Sequence, residues 1–312
     1  MSAVAGGHRT GARPSVASAA AARPGRVGAL ASQRLLPRPL VALIVVILLA
    51  IVLIPLLYML FASVGSDVAT AAGAFFPTEL HLENYVKVWT TVDLAGGLGN
   101  SVLICGLVAV FCALIAVMTA YVLVRYAFRG RVAYLRALLV LQSIPGTVML
   151  LPVFVLFSTI ASTVGVQIVG TRWGLFITYL TFALPFSTWI LVTYLRSLPR
   201  ELEEAARIDG ASSWRILTSV VVPLSWPGIV VAAIFAFLLG WNDVLFASVM
   251  TGPDSRTAAV VLQVFGSTLE GGALPAYGQL MAASLILALP VVVLYLVFQR
   301  WLVGGLAAGS VK

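Results

Sequence analysis

Six stretches of this sequence carry no charged side chain: Pro39–Ser66, Leu94–Val124, Ala137–Gly170, Trp173–Leu195, Ile216–Asn242 and Gly271–Gln299. Each exceeds the ~20 residues that a helix rising ~1.5 Å per residue needs to cross ~30 Å of hydrocarbon. The runs therefore predict an all-α integral membrane protein with six transmembrane helices. Composition agrees, since only 10% of the residues are charged, where a soluble domain carries roughly a quarter. The spans are expected at about Leu40–Phe61, Gly99–Val124, Ala137–Thr159, Trp173–Leu195, Pro223–Trp241 and Tyr277–Phe298. Pro145, Pro152 and Pro185 each remove a backbone donor and are expected to bend their helices. The apolar stretch Thr257–Leu269 is too short to span and reads as an external or re-entrant helix.

A net charge of +8 would suggest nucleic acid in a soluble chain. Here sixteen of the nineteen Lys and Arg residues fall in the N-terminal tail, the second loop, the fourth loop and the C-terminal end. Arg125, Arg129, Arg131 and Arg136 stand in the second loop, and Arg196, Arg200, Arg207 and Arg215 in the fourth. The positive-inside rule then makes both termini and these two loops cytoplasmic, and six spans return the chain to the side it started from. A nucleic-acid partner loses its support. Residues 1–38, acid-free and rich in Ala, Gly, Ser and Arg, read as a disordered cytoplasmic tail rather than a transit peptide, because no small-residue cleavage site precedes the first span. Residues 39–303 form the membrane domain, with a loop at 197–223, and residues 304–312 a cytoplasmic C-terminal tail. Cys105 and Cys112, seven residues apart on one helix, lie ~10 Å from each other, too far for a disulfide, and read as small packing residues.

The fourth loop breaks the apolar pattern with "LRSLPRELEEAARIDGASSWRILTSVVVP". Ser197, Pro199 and the acids Glu201, Glu203 and Glu204 are helix-start signals. Gly210 can take the left-handed conformation that closes the helix, and Ser212 can cap a second one. A helix resting on the bilayer would favour basic residues and large apolar anchors. This one has acids and alanines. Ala205 and Ala206 leave a flat side where another protein could approach closely, flanked by Glu204 and Arg207.

Glu204-Ala205-Ala206, then Gly210, then Val220-Val221-Val222-Pro223 resembles the EAA signature of ATP-binding-cassette importer permeases. Val stands at both aliphatic places of the family's Ile-x-Leu-Pro ending. The run "LRSLPRELEEAARIDGAS", with "SIPGTVMLLPVFVLF", "WNDVLFA" and "GGLAAGSVK", is similar to the carbohydrate branch, in particular the six-span subunit of maltose-type permease pairs. The resemblance covers Leu40 to Lys312. It implies a type I importer permease fold in a bacterial inner membrane and transport of a sugar, oligosaccharide or polyol phosphate. The implied partners are a second permease subunit, two cytoplasmic ATPases carrying ATP and magnesium, an extracytoplasmic solute-binding protein and membrane lipid. The 201–210 helix would be the coupling helix: Ala205, Ala206 and Gly210 would allow close docking, and Glu204, Arg207 and Asp209 would make polar contacts. A loop reaching into the binding protein would have its tip at Glu270, Gly271 and Gly272.

Independently of the resemblance, neither Lys87 nor Lys312 lies in a phosphate-binding G-x-x-x-x-G-K-[ST] loop, and there is no H-E-x-x-H or G-x-S-x-G. No cofactor, metal or catalytic site is expected on this chain. Polar groups inside spans are candidates for a solute path: Gln142 and Ser143 by Pro145; Thr181, Phe182, Phe186 and Thr188 around Pro185; and Asn242 and Asp243 at the outer end of the fifth span. The competing reading is that Ser and Thr bond their own backbone and that Asp243 is a solvated helix end. Two rival functions remain at this point, a stand-alone ion-coupled carrier and a membrane scaffold. The first would want an acidic or His relay at mid-membrane, which this sequence does not clearly supply.

Overall fold

A computed structural model describes residues 37–268 and 276–307. The chain divides at Ile54–Pro55, within helix α1 (Arg38–Val64), into two units. The described part of the first is the leading stretch of α1, in which every Leu, Ile and Val is exposed. A bare aliphatic rod of this kind suits hydrocarbon and not water.

The second unit begins with the end of α1 and two short helices, α2 (Asp67–Ala71) and α3 (Asn84–Thr91). It continues with α4 (Leu94–Arg125), α5 (Arg131–Ser143), α6 (Gly146–Val164), α7 (Arg172–Ser197), α8 (Glu201–Ile208) and α9 (Ser213–Ile216). A π-helical turn (Leu217–Val221) and α10 (Val222–Leu224) lead into α11 (Trp226–Trp241), α12 (Leu245–Met250), α13 (Ala258–Thr268) and α14 (Tyr277–Ala307). Among the described residues all named elements are helical, and Gly170 and Thr251 form an isolated bridge. Five helices among the described residues, α1, α4, α6, α7 and α14, are long and apolar enough to cross a membrane. The sixth crossing is broken: Ser213–Leu224 and Trp226–Trp241 meet at 77°.

Helices α4, α7 and α11 pack on one another and form the core. The buried face of α4 runs through Gly97, Ser101, Cys105, Cys112, Ala113, Ala116 and Ala120, while Val102, Leu103, Val110 and Leu114 stand exposed on its other side. Small residues let helix backbones approach closely where lipid supplies no hydrophobic drive between helices. Gly240 of α11 shows how closely: a Cβ there would lie 2.7 Å from the Tyr179 ring and 3.1 Å from Cys105 Sγ. Both cysteines are free and buried in this core.

Polar side chains place the elements around it. Asn100 of α4 donates to the carbonyls of Asp254 (3.2 Å) and Arg256 (2.9 Å), and Ser101 Oγ accepts from Ala258 N–H at 2.9 Å. These bonds seat α13, the short apolar helix expected from Thr257–Leu269. At the start of α14, Asp67 Oδ1 accepts from Gly278 N–H at 2.8 Å, a carboxylate at the positive end of a helix. On the exposed side of α3, Lys87 lies 2.7 Å from the N-cap residue Glu83 and holds its carboxyl below the ordinary carboxylate range.

Three expectations from the sequence are corrected. The third span is not one bent helix over Ala137–Thr159; the chain leaves the helical conformation at Ile144 (φ −81°, ψ 123°), and α6 starts after Pro145. A residue preceding proline is pushed out of the α region. Pro152, with its preceding residue already helical, sits inside α6 without ending it. The fifth span is straight only from Trp226, not from Pro223, because the backbone turns at Ser225. Ser197 does not cap α8: its hydroxyl donates back to Tyr194 C=O at 2.7 Å, and the N-cap is Arg200. Helix α14 runs to Ala307, so the first residues of the stretch read as a C-terminal tail are helical.

Candidate functional site: a hairpin tied to the helix core

The hairpin follows α7 after three residues. Its first helix, α8, places three acids, Glu201, Glu203 and Glu204, in its first turn, where spare N–H groups and the positive dipole end favour them. Asp209 is the C-cap residue, and Gly210 follows at φ +80° with open space around it. That left-handed conformation costs an L side chain roughly 1–2 kcal/mol. Ser212 then accepts from Arg215 N–H at 3.3 Å and starts α9 as expected.

The two faces of α8 differ sharply. Glu203 is buried and Ala206 half-buried, one turn apart on the side turned to the protein. Ala206 and Ala211 pack against a cluster built from Ala116, Ala120, Leu191, Leu195, Ile216 and Val221. The flat side expected from Ala205 and Ala206 together is therefore corrected: Ala206 meets this chain's own core, and Ala205 is exposed. The outward stripe is Leu202, Ala205, Ile208 and Asp209, joined by Glu204, Arg207, Gly210 and Trp214. Ile208 is 87% exposed and Trp214 63%. Apolar side chains this exposed beside charged ones make this face a candidate contact surface.

Glu203 is buried because it has a partner. Arg125, the last residue of α4, donates from Nε to Glu203 Oε1 at 2.6 Å, and its Nη2 lies 2.6 Å from the same oxygen. The two side chains are 8% and 9% exposed. In the sequence, Glu203 reads as a helix-start acid and Arg125 as one of a basic cluster. Nothing in their spacing, 78 residues apart, links them.

The solute-path candidates are scattered. Gln142 and Ser143 are exposed at the end of α5, with Ser143 bonded to Leu139 C=O. Thr181 bonds Ile177 C=O at 2.8 Å, and Thr188 is buried. Phe182 packs on Phe246 with ring centres 4.9 Å apart, and Phe186 on Phe235 at 5.2 Å. Asp243 is neither a solvated end nor an uncommitted lining. Tyr179 Oη donates to its Oδ2 at 2.8 Å, and the N–H groups of Phe246 and Ala247 donate to it at 3.4 and 3.0 Å, so it caps α12. Asn242 lines a groove of about 750 Å³ between α11, α13 and α14, with Trp241, Gln263 and Ser284 among the other walls. Gln263 and Ser284 are not legible in the sequence as wall residues, since single polar residues on apolar helices give no signal of what they face. Glu270, Gly271 and Gly272 lie outside the described residues.

A membrane-embedded helix core that presents a solvent-exposed, acid-headed hairpin is the architecture of an importer permease. Residues 113–307 match the family of binding-protein-dependent transport system inner membrane components, and the chain belongs to it. It is a multi-pass membrane transport subunit of the ATP-binding-cassette importer class, without an ATPase site of its own. Among its relatives, the trehalose/maltose transport system permease protein MalG of Thermococcus litoralis is 32% identical, covering 90% of this chain and 99% of its own. The diacetylchitobiose uptake system permease protein NgcG of Streptomyces coelicolor is 31% identical over 84% of this chain and 85% of its own. The crystal structure of a bacterial ABC transporter involved in the import of the acidic polysaccharide alginate shares the fold. Its TM-score is 0.71 at 21% identity, covering 84% of this chain and 95% of that one.

Proposed function

We propose that this chain is one of two related membrane subunits of an ATP-driven sugar importer, and that α8 is the helix through which cytoplasmic ATPases drive it. The observation that carries the reading is the exposed stripe Leu202, Ala205, Ile208 and Trp214 beside Glu204, Arg207, Asp209 and Gly210. Nucleotide-driven closure of an ATPase pair would pull on this surface and rock the permease pair between its two access states, so ATP and magnesium belong to the partner. The orientation follows from the arginines: the hairpin and both termini face the cytoplasm, and the α13 end faces outward, where a solute-binding protein would deliver its cargo.

The family membership and the sugars in the relatives' names, trehalose, maltose and diacetylchitobiose, favour a neutral di- or oligosaccharide. Asn242, with Gln263, Ser284 and Trp241 in the same groove, offers the mixture of amides, hydroxyl and aromatic surface that a sugar uses. Gln142, Ser143, Thr181 and Thr188 remain candidates for a path through the spans, with Phe182 and Phe186 as neighbouring aromatic surface. The loop tip at Glu270, Gly271 and Gly272 is proposed to meet the binding protein.

The test is reconstitution of this permease with its partner subunits in proteoliposomes, with a panel of radiolabelled disaccharides and oligosaccharides. Uptake of at least one sugar that requires both hydrolysable ATP and the binding protein is expected. Uptake driven by an ion gradient without nucleotide would overturn the reading in favour of a secondary carrier.

A further inference from the structure

We infer that the Arg125–Glu203 pair is a positioning device that makes α4 move with α8, so that a pull on the hairpin enters the core through two helices rather than one. The inference rests on the proposed role of α8 and adds to it a second route for the force. By covalent connection alone, α8 drives α7 through Leu198–Arg200, and Leu198 is already extended (φ −77°, ψ 135°) with Pro199 behind it. That link is short but not helical. The other arm of the hairpin reaches α11 through a π-helical turn and the 77° break at Ser225. Such interruptions are where helices bend. Neither arm is a straight rod.

The ion pair supplies what the arms lack. It joins the middle of the first turn of α8 to the last residue of α4 across a water-poor contact, and it is the one side-chain hydrogen bond from α8 to the core among the described residues. Helix α4 is also the longest helix among the described residues and packs along both α7 and α11. Its movement would therefore displace the whole core.

The pair is poorly explained as a device for stability. Removing two charges from water costs much of what their attraction returns, and well-packed apolar residues often serve as well. Its hydrogen bonding is also incomplete: Arg125 Nη2 has no aligned partner despite its closeness to Glu203. What a single short ionic contact does provide is a directional attachment between two elements that apolar packing would leave free to slide.

The experiment compares the full transporter carrying Arg125→Met, Glu203→Gln or the apolar double replacement Arg125→Met with Glu203→Leu. Three quantities are read: thermal midpoint, sugar moved per ATP hydrolysed, and the mobility of a nitroxide at Glu201→Cys, an exposed site on α8; the two native cysteines are buried. The double replacement leaves no buried charge, so it is expected to keep the wild-type midpoint and the bound ATPase. Its transport-to-ATP ratio is expected to fall about 5-fold or more, the lower end of ordinary coupling between sites, and its nitroxide to become more mobile. Recovery of both the ratio and the immobilised spectrum along with the midpoint would show a filler of space and overturn the inference. A wild-type complex with no ATP-dependent transport would sink the proposed function instead. The nitroxide comparison still decides the tie in that case, because it needs no transport.

Discussion

Two carboxylates mark opposite ends of α7. Near its beginning Asp243 meets Tyr179; beyond its end Glu203 meets Arg125. Asp243 is half-buried and Glu203 buried, and they are satisfied differently. Asp243 accepts from a phenol on α7 and from two nearby backbone amides, all neutral. Glu203 accepts from a cation on another helix, so its loss strands a charge. The first arrangement shares one charge among neutral donors and is forgiving. The second pairs two charges and fails badly when half is removed.

The largest effect is thus expected at the ionic end. Arg125→Met or Glu203→Gln alone should destabilise the protein by about 3–5 kcal/mol, the cost of an uncompensated buried charge, read as a loss of thermal midpoint in detergent. A drop no larger than that of the neutral end would erase the contrast. Next comes Asp243→Asn, which keeps the shape but weakens charge-assisted bonds of about 1.5–3 kcal/mol; the midpoint should fall while the KM for sugar stays unchanged. A changed KM with an unchanged midpoint would return Asp243 to the solute path.

Gly210→Val tests the turn rather than either carboxylate. A β-branched residue at φ +80° should cost about 1–2 kcal/mol locally and reduce co-purification of the ATPase while the spans still insert; full co-purification would count against docking at the hairpin. The smallest effect is expected outside both ends, at Lys87→Met. Lys87 depresses the Glu83 carboxyl, and a depressed acid contributes stability above its unfolded pKa that is lost as pH falls through the folded value. The pair is exposed and screened, so the variant should only flatten the acid side of the midpoint-against-pH curve. A large shift at pH 7 would mean that Lys87 has a second role.

The hairpin was legible in the sequence because its signals are local. Acids at a helix start, Gly210 after its end and Ser212 before the next helix act through backbone groups a few residues away. Its two faces were not legible. Ala205 and Ala206 are adjacent and chemically identical, and only the helix rotation set by packing against Leu191, Leu195 and Ile216 decides that one is outside and the other against the core. Asp243 shows the same limit, since its N-H donors are local but its phenol lies 64 residues away.

The sequence by itself determined that this is a helical membrane protein, roughly where it crosses, and that a polar hairpin interrupts the crossings. Hydrocarbon admits long apolar helices and expels charge, and that rule acts on any segment regardless of its neighbours. Only the tertiary structure decided that Pro145 ends a helix while Pro152 does not, which face of α8 is free, and that Arg125 finds Glu203. Those outcomes depend on the distance between side chains far apart in the chain, a quantity that packing sets and residue order alone does not carry.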